Sequence, residues 1–135
     1  MFSNSTKYAI RSIVYMLNAG ANQKHTVVDM ANDLEIPQPF LSKIMQQLSR
    51  SGIISSSKGR GGGFYLSEDN MERPLIDVII AIEGHNIFKK CVLGLTTCSD
   101  ENPCLLHNQF GAFRDSISQS VCKDSIRELL IDLKS

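Results

Sequence analysis

Residues 36–66, IPQPFLSKIMQQLSRSGIISSSKGRGGGFYL, contain the pattern that decides the fold. In the first half, apolar residues recur every three or four positions as far as Gly52, which predicts an amphipathic helix with a polar outer face. In the second half, the short runs 53–58 and 63–67 read as strands. They flank Gly59-Arg60-Gly61-Gly62, a glycine-rich stretch that is typical of a hairpin turn.

Two further helices precede this segment. Apolar residues at helical spacing predict a first helix around 8–17 that stops near Gly20, and Thr26 begins a short second helix that ends before Pro37. Two short helices joined by a tight turn are the outline of a helix-turn-helix, and a hairpin directly after the second one is a wing. We therefore expect a winged helix-turn-helix domain.

The C-terminal half predicts three more helices. Pro74 opens an almost wholly apolar helix that stops at Gly84 and should be buried between other elements. A long helix from about Pro103 to Val121 would reach roughly 28 Å, and Ser125 opens a short terminal helix. The fold class is thus mostly α with a two-stranded β wing. The expected domains are 1–84 (winged helix-turn-helix), 85–104 (cysteine-rich loop) and 103–135 (C-terminal helices).

A dense cluster of metal-binding residue types lies in the loop before the long helix. The spacing is C-x6-C-x5-C-x2-H, formed by Cys91, Cys98, Cys104 and His107. If Asn102 caps a helix with Pro103 at its first position, the last two ligands share one helix face. Three thiolates and an imidazole suit an iron–sulfur cluster or another metal, including zinc, while a thiol switch would also use them.

The charge of the chain is balanced overall but uneven along it. Fourteen basic and fourteen acidic residues cancel, yet 36–67 contain no acid, which indicates a locally basic face. A recognition helix reads the major groove from its N-terminal part, and a wing arginine among glycines can enter a minor groove. The candidate DNA-binding residues are Gln38, Ser42, Lys43, Gln46, Lys58 and Arg60.

Other classes of protein are disfavoured. No secretion signal or membrane-spanning run is visible, and cysteines in such a chain indicate a reducing cytoplasm. The sequence lacks an acid–base constellation or nucleotide fingerprint, so we expect no enzyme. The glycine-rich run is followed by a strand rather than a helix, which disfavours a nucleotide loop. Cys122 stands apart and is interpreted as a packing residue.

Several of these stretches together resemble the Rrf2 family of winged-helix transcription regulators, in particular its iron–sulfur members of the IscR, NsrR and RirA types. The matching segments are 8–10, 36–48, 51–56, 58–66, 82–84 and the trailing cysteines. The resemblance implies a homodimer joined through the long C-terminal helix, which acts on a double-stranded DNA operator, often as a repressor, and without a membrane partner.

The resemblance also implies the cofactor. Cys91, Cys98 and Cys104 match the cluster ligands, and His107 falls at the fourth-ligand position of the IscR-type members. Lys7 stands where other members carry an acidic ligand, which favours His107 and a 2Fe–2S cluster, with 4Fe–4S as the alternative. The expected function is operator binding controlled by the cluster. The alternatives are a thiol-redox or zinc-stabilised regulator and, less favoured, a small redox or iron–sulfur carrier.

Overall fold

The computed structural model describes residues 2–88, 93, 95, 98–99 and 101–130. These residues form, in chain order, α1 (Asn4–Ala19), α2 (Val27–Leu34), α3 (Gln38–Arg50), β1 (Ser55–Ser57), β2 (Gly63–Tyr65), α4 (Glu68–Met71), α5 (Leu75–Glu83) and α6 (His107–Lys123). The predicted winged helix-turn-helix with a long C-terminal helix is confirmed.

Local capping explains the boundaries of the first helices. The Ser3 hydroxyl accepts a hydrogen bond from the Thr6 N–H at the start of α1, and Thr26 caps α2 by accepting from Asp29. Between α2 and α3, Glu35 adopts a left-handed conformation with φ 57°. This sharp turn stops α2 and lets α3 begin directly after Pro37, as predicted.

The core lies where α3 meets α1, α2 and α5. Leu41, Ile44, Met45 and Leu48 of the apolar stripe of α3 are buried, whereas Phe40 is exposed, and the C-terminal segment adds Ile126, which has no exposed surface. Burial of this kind is the main favourable term in folding. The largest wholly buried side chains in the described part of the chain are Ile13, Met16, Met30, Leu41, Ile44, Met45, Leu48, Ile53, Ile54, Leu66, Ile79 and Ile126.

The wing is a two-stranded antiparallel hairpin in which Ser55 pairs with Tyr65 and Ser57 with Gly63. Both strands are shorter than predicted. The N–H groups of Ile53 and Ile54 donate back to the Leu48 carbonyl, so they extend the end of α3 instead of joining the ladder.

The four-residue helix α4 was not predicted. Ser67 and Asn70 form a reciprocal capping box, in which each side chain accepts from the other residue's backbone N–H. The chain after α6 runs back along α4 and the start of α5. There Ile126 N–H donates to the Arg73 carbonyl over 2.9 Å, and Leu75 N–H donates to Asp124 over 2.8 Å.

The start of α6 corrects a prediction. The helix begins at His107, not near Pro103. The N–H groups of the expected first turn form hydrogen bonds within the preceding loop instead. The Asn102 N–H bonds to Ser99, and the Cys104 N–H points at the Cys98 sulfur. The terminal helix is helical over 128–130, and its remainder lies outside the described residues.

Helix α5 lies between α1, α3 and α6, as its apolar sequence predicted. Only Val78 and Ile79 are fully buried, however, and Ile76, Ile80 and Ile82 keep some exposed surface. No helix within the described part of the chain is both long and apolar enough to cross a lipid bilayer.

Candidate nucleic-acid interface and cysteine site

The solvent face of α3 carries most of the predicted DNA-binding residues. Gln38, Lys43 and Gln46 are exposed there, and Ser42 is half-buried. The C-terminal part of α3 and the wing enclose an open groove of about 360 Å³, and this groove brings Gln46 close to Lys58. Gln38, Ser42, Lys43 and Arg60 do not line it. The structure therefore groups two of the six predicted residues directly.

The groove also contains residues outside the six candidates. Arg50 lies four positions after Gln46 and lines the same groove, together with Phe64 of β2. The i to i+4 spacing was the available signal for Arg50, since such residues share a helix face. Lys43 instead lines a second groove beside Phe40, whose side chain is 44 % exposed and packs edge-on against Tyr8.

Arg60 is exposed at the tip of the wing, between glycines. Gly59 and Gly61 have φ values of 90° and 77°, and the Gly62 N–H closes the turn on the Gly59 carbonyl over 3.0 Å. Lys43, Arg50, Lys58 and Arg60 are all exposed. Since 36–67 contain no acidic residue, the exposed charges that this segment contributes are all positive.

A polar cluster supports the base of the wing. His25 and Phe64 exchange two backbone hydrogen bonds of 2.8 Å. Burial lowers the pKa of His25, against the opposing pull of Asp29 and Asp33, which favours the neutral imidazole. Tyr15 packs edge-on against the His25 ring and donates to Asp33 over 2.5 Å, and this hydrogen bond raises the pKa of Tyr15.

Two of the four predicted metal-binding side chains, Cys98 and His107, meet at the start of α6. The Cys98 sulfur lies 3.3 Å from His107 Nδ1, and the Cys104 N–H donates to the same sulfur over 3.4 Å. The His107 N–H donates to the Cys104 carbonyl over 3.1 Å, so Cys104 and His107 lie within one tight turn. A thiol between an imidazole and a backbone N–H can act as a metal ligand or a reactive thiolate.

The remaining cysteines are Cys91 and Cys122. Cys91 lies outside the described residues, and no three His, Cys, Asp or Glu side chains form a metal-sized group among the residues that are described. Cys122 is exposed near the far end of α6, fifteen positions and thus roughly 22 Å along the helix from His107. Its predicted packing role is not seen, because its side chain faces solvent.

Comparison with known proteins identifies the family. The sequence model of Rrf2, described as an iron-dependent transcriptional regulator, matches residues 2–132. A protein of Aquifex aeolicus described as an HTH-type transcriptional regulator is 30 % identical over 133 residues, which cover 96 % of this chain and 91 % of that one. The regulator IscR of Photorhabdus laumondii is 27 % identical over 127 residues, covering 92 % and 75 %.

A solved structure shows the same fold. CymR, the global cysteine regulator of B. subtilis, superposes with a TM-score of 0.74 at 16 % identity, covering 96 % of this chain and 95 % of that one. The family match spans nearly the whole chain, and the helix-turn-helix, wing and long C-terminal helix all agree with it. This chain therefore belongs to the Rrf2 family of winged helix-turn-helix transcriptional regulators and is not an enzyme.

Proposed function

We propose that the chain is a homodimeric regulator whose affinity for an operator is controlled by an iron–sulfur cluster bound by Cys91, Cys98, Cys104 and His107. The observation that carries this proposal is the 3.3 Å contact between the Cys98 sulfur and His107 Nδ1 at the start of α6. Residues nine positions apart meet there, in the loop that leads into the helix proposed for dimerisation.

The donor set fits such a group. Thiolates and an imidazole are the ligands that iron–sulfur centres use, and N–H groups directed at a ligand sulfur tune its potential. The Cys104 N–H makes such a contact with Cys98. When bound, the cluster would supply a redox-sensitive link between the loop and α6. Cys98 and His107 would hold it directly, and Cys104 would contribute both its thiol and its N–H.

The exposed face of α6 supports the homodimer. Arg114 is the only buried residue of this 17-residue helix, while Phe113 is 54 % exposed. Phe110, Phe113, Ile117 and Val121 recur at spacings of three and four, the pattern of a helix that packs against a second helix. A partner copy would cover this apolar stripe. We keep 1–84, 85–104 and 103–135 as the proposed DNA-binding, cluster-binding and dimerisation regions.

A continuous set of contacts joins the cysteine site to the DNA-binding face. Helix α6 begins at the site, and the segment after it is bound to the backbone of residues 71–75. Arg127 of that segment also pairs with Glu68 and Glu72 at distances of 2.6 and 2.8 Å. Movement of α6 would thus reach α4 and the wing. The proposal requires that DNA affinity differ between the cluster-bound and cluster-free forms.

On the DNA side, we propose that α3 enters the major groove through Gln38, Ser42, Lys43 and Gln46, while Lys58 and Arg60 bind the backbone and minor groove. Replacing Arg60 with alanine should weaken binding about tenfold and reduce the salt dependence of the affinity. Arg60 is exposed among glycines, so its loss should leave folding intact. Titration of a labelled duplex at several salt concentrations measures both effects.

The matched control is Lys123→Ala, which removes one exposed cation from the end of α6, away from α3 and the wing. Its DNA affinity should stay within about twofold of the unmutated protein. Equal losses in the two variants would mean that only net charge matters, and the minor-groove role of Arg60 would then be wrong.

The cofactor is tested by anaerobic purification followed by a visible absorption spectrum and by iron, sulfide and zinc analysis of one sample. We expect a coloured protein with about two irons and two sulfides per chain. About four irons per chain would retain the cluster but remove His107 as the expected fourth ligand. Colourless protein after anaerobic reconstitution would contradict the proposal.

A second function is favoured by the same geometry. Cys98 lies close to both His107 and the Cys104 backbone, as a redox-active thiol would, and the fold matches that of the global cysteine regulator CymR. In this alternative, oxidation of the thiols or binding of a structural zinc, instead of a cluster, would determine the position of α6. Zinc in place of iron, or a disulfide that forms reversibly on oxidation, would establish it.

A further inference from the structure

We propose that Asn70 is a positioning residue that holds the wing at a fixed angle to the recognition helix α3. The inference extends the proposed DNA-binding role of these two elements and rests on it. Asn70 itself lies in α4, beneath the wing, and only 7 % of its surface is exposed.

The Asn70 side chain connects three separate parts of the chain. Its Oδ1 accepts hydrogen bonds from the Ser55 hydroxyl over 2.9 Å and from the Ser67 N–H over 2.8 Å. Its Nδ2 donates to the Gly52 carbonyl over 3.2 Å. Ser55 is the first residue of β1, and Gly52 lies two residues beyond α3. One amide group therefore binds both the end of the recognition helix and the beginning of the wing.

The chemistry of these contacts requires an amide. Aspartate would lack the donor for Gly52, and leucine would lack both the donor and the acceptor. Arg73 contributes a second link from the same region, since its Nη1 donates to the Ser51 carbonyl over 2.8 Å. The hinge between α3 and β1 is thus held by the side chains of Asn70 and Arg73, which do not line the groove between α3 and the wing.

This placement has a consequence for DNA binding. A helix in the major groove and a wing in the minor groove are two DNA contacts made by one chain. The wing contributes fully to affinity only when its connection to the helix holds it in position for the minor groove. Without Asn70, the wing would retain its hairpin and its attachment to His25 but lose the amide link between Ser55 and Gly52, which leaves a 3.4 Å contact between the Ser49 and Ser56 hydroxyls as the direct side-chain link to α3. Arg60 would then contribute less to affinity, although its side chain is intact.

The test is a double-mutant cycle of Asn70→Ala with Arg60→Ala, measured on a duplex that the unmutated protein selects from a random-sequence pool. Arg60→Ala should weaken binding about tenfold in the unmutated protein and less than about twofold in the Asn70→Ala background. Equal costs of Arg60→Ala in both backgrounds would overturn the inference.

Ser55→Ala cuts only the link to the wing and leaves the capping box of α4 in place, so it tests the same coupling if Asn70→Ala folds poorly. Ile13→Val is the stability control, because it removes one methyl group from the core of α1 without touching these contacts. If Ile13→Val reduces the Arg60 effect equally, loss of stability rather than positioning is responsible.

Amide hydrogen exchange separates this inference from the proposed function, since it needs no DNA. In Asn70→Ala and Ser55→Ala, the amides of β1 and β2 should exchange about tenfold faster, while those of α1 keep their rates. Ile13→Val should instead affect all core amides alike. Unchanged wing exchange in both variants would overturn the positioning role even if the protein binds DNA as proposed.

Discussion

Replacing Cys98 with alanine should abolish the visible chromophore, the bound iron and the difference in DNA affinity between iron-loaded and chelator-treated protein. Both His107 Nδ1 and the Cys104 N–H contact the Cys98 sulfur. Removal of this sulfur takes away the proposed ligand atom that joins the loop to the start of α6. Couplings between a ligand site and a second site typically amount to about 5- to 150-fold in affinity, and all of this should disappear.

The variant should remain folded and dimeric. Cys98 is only half-buried and lies outside the hydrophobic core, so the free energy of unfolding should change by less than about 1 kcal/mol. Thermal unfolding and size-exclusion chromatography check this point, alongside the absorption spectrum, iron analysis and duplex titration.

Cys122→Ala is the matched control, since it removes one exposed thiol from the other end of α6. It should keep both the spectrum and the response to iron removal. A Cys98→Ala protein that still binds iron with an unchanged spectrum, or whose DNA affinity still depends on iron, would show that Cys98 is not a ligand.

Replacing Gly62 with alanine should disrupt the wing and weaken DNA binding by about 100-fold. A Cβ atom at this position would lie 2.2 Å from the Ser57 carbonyl oxygen and 2.9 Å from that of Gly59, and both are backbone atoms that cannot move alone. The hairpin turn must therefore open. The contributions of Lys58 and Arg60, each about tenfold, would be lost together.

The comparison with Gly61→Ala isolates the steric cause. Gly61 has φ 77°, which strains any side chain, but no atom lies within 4 Å of its added Cβ. That variant should lose about 1–2 kcal/mol locally and keep most of its DNA affinity. Duplex titration of both variants, with circular dichroism to verify helix content, decides the matter. Equal affinities for the two variants would mean that the close approach at Gly62 does not shape the wing.

Helices α1, α2 and α3 could be predicted because their signals are local. Apolar spacing in α1 and α3, Thr26 as a cap, and Pro37 with Gly52 as boundaries all act within a few residues of the chain. The glycines of 59–63 likewise specify a tight hairpin through their own backbone conformations. These elements appear where the sequence predicted them, apart from shorter strands.

The beginning of α6 and the existence of α4 could not be predicted, because competing hydrogen bonds within the preceding loop determine the first and distant partners determine the second. Asn102 and Pro103 are good helix-starting residues, but Ser99 and the Cys98 sulfur take the N–H groups of Asn102 and Cys104. Helix α4 has only four residues, and its Asn70 is held by Gly52 and Ser55 across the hinge of the wing.

For the candidate site, the sequence by itself determined the family and the residue types that are available: three cysteines and a histidine in and just after the loop before the long helix, and an acid-free basic stretch that contains the recognition helix and the wing. Tertiary structure alone decided which groups meet. It placed Cys98 against His107, Lys58 of the wing beside Gln46, and Asn70 under the wing. Periodicity and capping operate between near neighbours, whereas contacts across nine to fifteen or more positions depend on how the packed core brings the elements together.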